Sequence, residues 1–209
     1  MNNNMAITVV PGLSLLLMWL AMMLAMMLPA AVPLARAYGA TLAVRVGRAR
    51  GHGLLALVAG YLALWSFFAV LAAGAQAGLT ALGFMTYEGR LASQLASGVL
   101  LAATGLYQFT PWKEACIAPC RSPATFLGLH WRGGVRGALG MGALQGMYCI
   151  GCCWLLFAAL FALGTMSIGW MMVLLAILLA ERRPRLGPWV TWGAGLAATA
   201  YGLSLLMLR

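Results

Sequence analysis

Long apolar runs dominate this chain, and between them arginine, glycine and proline collect in short stretches. The runs at 13–35, 54–75, 91–110, 138–162, 166–181 and 188–208 show no strand-like alternation and predict helices. A hydrocarbon core about 30 Å thick takes roughly 20 helical residues per crossing, so 209 residues leave room for about six. The uncharged stretch from Gly137 to Ala180 would reach about 66 Å as a single helix, twice what a bilayer holds. The chain must therefore turn, and Gly164, Thr165, Ser167 and Gly169 mark the place. The expectation is an all-α integral membrane protein, a bundle of about six transmembrane helices forming a single domain over 1–209.

Composition excludes a soluble domain: 64% of residues are hydrophobic, 8% are charged, and the mean hydropathy is +0.94. The opening MNNNMAITVVPG has neither a basic region nor a cleavage pattern, so the first span is expected to be retained. Small residues such as Gly98, Gly105, Gly142, Gly146, Gly151, Gly193, Ala197 and Gly202 suit close approach of helix backbones in lipid.

The net charge of +10 is dispersed over short loops without an accompanying aromatic surface, which argues against nucleic acid and reads as orientation. Arg36, Arg45, Arg48 and Arg50 fall in the predicted loop 36–53; Lys113, Arg121, Arg132 and Arg136 in 111–137; Arg182, Arg183 and Arg185 in 182–187. With six spans these share one side, leaving Arg90 and Arg209 opposite. The positive-inside rule then predicts a multi-pass protein of the bacterial inner (plasma) membrane, basic loops cytoplasmic and both termini outside. Cys116 and Cys120 fall on the reducing side, where persistent disulfides are uncommon.

All five cysteines lie between 116 and 153. At about 100° per residue, Cys153 lies near +40° and Cys152 near −60° from Cys149, so three thiols share a face inside an apolar span. Cys116 and Cys120 flank Pro119, which predicts a turn rather than a continuous helix, and Lys113 and Arg121 beside them predict stabilised thiolates. Soft sulfur in a low-dielectric setting suits a thiophilic metal ion or thiol redox chemistry. Met22 and Met26, in a run with Met18, Met23 and Met27 covering half of the first helix, add thioethers suited to Cu(I). Glu181, followed by Arg182 and Arg183, is expected to end the fifth helix in an interfacial ion pair. Glu88, Glu114, His52 and His130 are expected at the membrane edge, and no catalytic triad, carboxylate pair or phosphate-binding loop is present.

The segments GLYQFTPWK at 105–113, Cys116, Cys120-Arg121-Ser122-Pro123, and GMYCIGCCW at 146–154 resemble a bacterial family of predicted metal-binding integral membrane proteins. The likeness runs from about 13 to 205. It implies a metal-handling membrane protein with copper favoured and Cys116, Cys120, Cys149, Cys152 and Cys153 as the ligand pool. It also implies a histidine where this chain has Gln145, four residues before Cys149; an amide is a poor Cu(I) ligand.

The preferred reading is binding and transfer of Cu(I), with zinc or another thiophilic ion as alternatives, between the intramembrane cysteines and the Cys116/Cys120 loop. Transport along the Met-lined first helix would extend it. The implied partners are the bilayer, a copper-carrying or copper-receiving protein, and further subunits of an oligomer or membrane complex. A transmembrane thiol oxidoreductase and a structural subunit of a membrane complex are the competing readings.

Overall fold

The computed structural model describes residues 3–46, 51–86, 89–165 and 167–207. Along the chain run α1 (Asn3–Val46), α2 (Gly51–Ala81), α3 (Gln94–Tyr107), α4 (Pro111–Arg121), α5 (Pro123–His130), α6 (Gly134–Ala158), α7 (Leu160–Leu163), α8 (Ile168–Glu181) and α9 (Gly187–Met207). Among the described residues the β-pairing is limited to one isolated bridge between Met85 and Leu91. Arg48, Arg50, Glu88 and Arg209 lie outside the described residues.

Among the described residues four stretches are long and apolar enough to cross a membrane: Gly12–Val44, Gly51–Ala81, Gly134–Leu163 and Gly187–Met207. The other two expected spans become the apolar helices α3 and α8, each of 14 residues and so about 21 Å long, short of a full hydrocarbon core. Most of the predicted loop 36–53 is helical, because α1 continues to Val46. Buried Leu34, Tyr38 and Leu42 extend its inward stripe past residue 35, and Tyr38 stacks on Trp131 at 5.4 Å. The turn expected near Gly164 forms there: α7 ends at Leu163, and Gly164 takes φ 107°, a left-handed conformation that glycine adopts without strain.

The chain divides into two compact units, Met1–Ala81 with Leu127–Gly146, and Leu82–Phe126 with Met147–Arg209. Each uses glycine to bring backbones together. In the first, a Cβ on Gly142 would collide with the Leu57 carbonyl and one on Gly60 with the Leu139 carbonyl. A buried Trp19 Nε1 also donates to Gln76 Oε1 at 2.7 Å. In the second, α3 packs closely on α9: a Cβ on Gly202 would lie 2.5 Å from the Ala102 nitrogen, and one on Gly105 would strike Thr199. Gly193 differs, since nothing lies within 4 Å of its would-be Cβ.

Gly105→Val is therefore expected to destabilise the second unit by about 1–3 kcal/mol through overpacking. Denaturant titration in detergent checks this, with Gly193→Val unchanged as the control.

Candidate metal centre

The second half of α6 carries three buried thiols, Cys149, Cys152 and Cys153. Cys152 Sγ donates to the Cys149 carbonyl at 3.1 Å, and Cys153 Sγ to the same oxygen at 2.8 Å. These are the three- and four-residue back-bonds of a helix, and they hold both sulfurs on the Cys149 side. The Cys149 sulfur has Cys120, Cys152 and Cys153 within hydrogen-bonding reach and accepts from Arg182 Nη2 at 2.8 Å. The three thiols thus occupy one face of the helix. All five cysteines are free.

Cys120 arrives from α4, where the structure departs from the expected turn. The helix passes through Pro119 and ends at Arg121. Proline there removes the donor for the Ala115 carbonyl, yet the ladder resumes past it, the Ser122 amide donating to the Ala118 carbonyl at 3.1 Å. Thr110 caps the start, accepting from the Lys113 amide at 3.3 Å, and Pro111 fills a first-turn position where no N–H is needed. Lys113, Ile117 and Cys120, spaced four and three residues apart, form the buried stripe that turns Cys120 inward. The half-buried Cys116 lies beside Gly151, whose added Cβ would come within 2.8 Å of its sulfur.

The expectation that Lys113 and Arg121 would favour thiolates on α4 is overturned. Hydrogen bonds to Cys149 and Cys152, then burial, hold the Cys120 thiol well above the ordinary range. Burial raises Cys116, and a neighbouring charge on Cys152 would raise it further. Both cations are engaged elsewhere. Lys113 Nζ donates to both carboxylate oxygens of Glu181 at 2.9 Å and also to Gln108 Oε1. Each partner of that ion pair is 1% exposed. Arg121 pairs with Glu114 at 2.5 Å and donates through Nε to the Glu181 carbonyl at 2.9 Å. Glu181 ends α8 as expected, but its partner is Lys113, 68 residues away, rather than the adjacent arginines.

Sequence reasoning missed Arg182 as the cation on the cluster. It also missed Tyr107, whose hydroxyl donates to the Gly151 carbonyl at 2.6 Å beside the thiols. The available signal was the scarcity of acids, three in 209 residues, which makes an internal partner for Glu181 worth seeking.

Met22 and Met26 lie in the first unit, buried on α1 with Met23 and Met27, and the Tyr61 hydroxyl contacts Met27 Sδ at 3.7 Å. Gln145 is also buried. Among the described residues no three His, Cys, Asp or Glu side chains stand as a ready-made metal cage. The thiols are instead satisfied by hydrogen bonds to a carbonyl and to one another. Thiols are weak donors, so rotating a sulfur off the Cys149 carbonyl sacrifices little. Ionised, the same side chains are soft ligands.

A family model described as PpoB2, copper chaperone, matches residues 16–205. The chain belongs to the PpoB2 copper chaperone family. No curated protein and no solved structure matches it. Membership in the PpoB2 family ties the chain to copper.

The raised Cys116 thiol has a measurable consequence. Its alkylation by iodoacetamide, followed by mass spectrometry, should reach half-maximal rate above the pH of an ordinary thiol, because less thiolate is present at any lower pH. Cys152→Ala should shift that midpoint downward.

Proposed function

We propose that this PpoB2 protein is a membrane-embedded Cu(I) chaperone whose cargo is held by two or three sulfurs drawn from Cys149, Cys152, Cys153 and Cys120 and exchanged through the more accessible Cys116. The observation that carries the reading is the convergence of a fully buried Cys149 sulfur, three neighbouring thiols and one guanidinium within a single compact unit. Sulfur donors of this softness select Cu(I) over hard cations. Two or three thiolates around a monovalent ion leave net negative charge, and Arg182 offsets part of it at a site that water does not reach. Loading requires the coordinating thiols to ionise and the Cys152 or Cys153 sulfur to turn from the Cys149 carbonyl toward the ion.

On this reading the turn carrying Arg182, Arg183 and Arg185 faces the cytoplasm, where the positive-inside rule puts it, and a cytoplasmic copper protein would meet Cys116 there. Met22 and Met26 would serve as weak thioether donors on α1, able to release what they capture. The competing redox reading gains support from the approach of Cys120 on α4 to Cys149 on α6, since a disulfide shuttle needs thiols on two elements. Stable mixed disulfides with thioredoxin-like proteins would favour it. Protection of all five thiols from alkylation by Cu(I) would favour binding.

Anaerobic titration of detergent-purified protein should give about one Cu(I) per chain, coordinated by sulfur alone in X-ray absorption. Both Cys149→Ser and Cys152→Ser should lose it; full metal content in both would overturn the site.

Because binding displaces protons from raised thiols, apparent affinity should fall as pH falls, by about tenfold per unit for each proton released. Competition with a pH-insensitive Cu(I) chelator across pH 6–8, the range of the assay (~pH 7), measures the slope.

A further inference from the structure

We propose that the buried Lys113–Glu181 pair is a latch that positions Cys120 against the α6 thiols and so sets how many sulfurs hold the cargo, a proposal that rests on the cluster being the Cu(I) site. At about 100° per residue, Cys120 lies seven positions and some 20° from Lys113, so the two side chains leave α4 in the same direction about two turns apart. Anchoring Lys113 fixes the rotation of α4, and with it the aim of Cys120.

The anchor has two points. Lys113, in the first turn of α4, holds the Glu181 carboxylate through both oxygens at 2.9 Å, while Arg121, its last residue, holds the Glu181 carbonyl at 2.9 Å. One residue of α8 thus grips both ends of α4 and fixes its position along the axis. The next residue, Arg182, donates to the Cys149 sulfur at 2.8 Å. The Glu181-Arg182 dipeptide is therefore the common reference for the α4 sulfur and the α6 sulfur.

Energetics favour a positioning role over a stabilising one. A fully buried ion pair recovers little more than its desolvation cost, and well-packed apolar residues often serve stability as well or better. A latch needs direction, which an ion pair with an added hydrogen bond from Lys113 to Gln108 supplies and an apolar contact does not. With the latch closed, Cys120 joins the α6 sulfurs around the ion. With it broken, the ion is left to α6 alone, with fewer sulfurs and faster exchange.

The test uses the full-length protein in detergent with Glu181→Gln and, because a lone buried charge threatens folding, also with Lys113→Met/Glu181→Leu, which removes both charges. In a background of Cys116→Ser, Cys152→Ser and Cys153→Ser, diamide oxidation of the metal-free protein should link Cys120 to Cys149. Either latch variant should slow that linkage about tenfold or more, because disulfide formation demands close sulfur geometry. With the native cysteines, X-ray absorption of the Cu(I) form should fall from about three sulfurs to about two. A purely structural role would lower the unfolding midpoint without changing either readout in the folded fraction. Linkage at the unmodified rate in both variants would overturn the latch, as would failure of both to yield helical, monodisperse protein. Glu181-dependent linkage in a protein that binds no Cu(I) would uphold the latch and sink the copper reading, whereas copper binding lost in Cys149→Ser with Glu181-independent linkage would do the reverse.

Discussion

Burial of the thiol face in the second half of α6 governs the rest of this structure. A thiol, a guanidinium or a carboxylate in apolar surroundings must find its partner within the protein, since a lost hydrogen bond there is not replaced by solvent. Cys152 and Cys153 meet that demand through the Cys149 carbonyl, Cys149 through Arg182, and Lys113 through Glu181 and Gln108. Lys113 and Arg121 accordingly meet Glu181 at the end of α8, next to the Arg182 that reaches Cys149. A place where hydrated ions compete poorly and soft donors are concentrated is a consequence of the same demand.

The amphipathic α4 shows how a short helix can be drawn into such a setting. Its composition alone would leave it at the surface, with Trp112 and Glu114 exposed. The stripe of Lys113, Ile117 and Cys120 makes one face inward, and the lysine is tolerated there because Glu181 neutralises it. Pro119 lies within the helix, which continues past it to Arg121. A transition-metal chaperone must hold its cargo firmly and still let go. On the proposed reading, sulfurs divided between an apolar helix and a separately anchored amphipathic one would allow both, since one ligand could be withdrawn without unfolding the site.

Close glycine contacts contribute the rigidity. In the second unit Gly98, Gly105 and Gly202 bring α3 against α9 at backbone distance, and Tyr107 at the end of α3 ties to the Gly151 carbonyl in the middle of the cysteine motif. Gly151 is itself the gap into which the Cys116 sulfur fits. Small residues that read in the sequence only as general helix packing thus include one that shapes the space beside the thiols.

The length and apolar character of the runs determined that the chain is helical and turns near Gly164, and the fixed angle per residue that Cys149, Cys152 and Cys153 share a face, because each follows from local geometry. The lengths of α1, α3 and α8 escaped that reading: a buried stripe carried α1 past residue 35, and helix ends depend on neighbours as much as on composition. Only the tertiary structure brought Cys120 to Cys149, set Arg182 on its sulfur and paired Lys113 with Glu181. Those contacts join residues 29 to 68 positions apart, and the rule that a buried charge needs a partner does not say which partner the packing will supply.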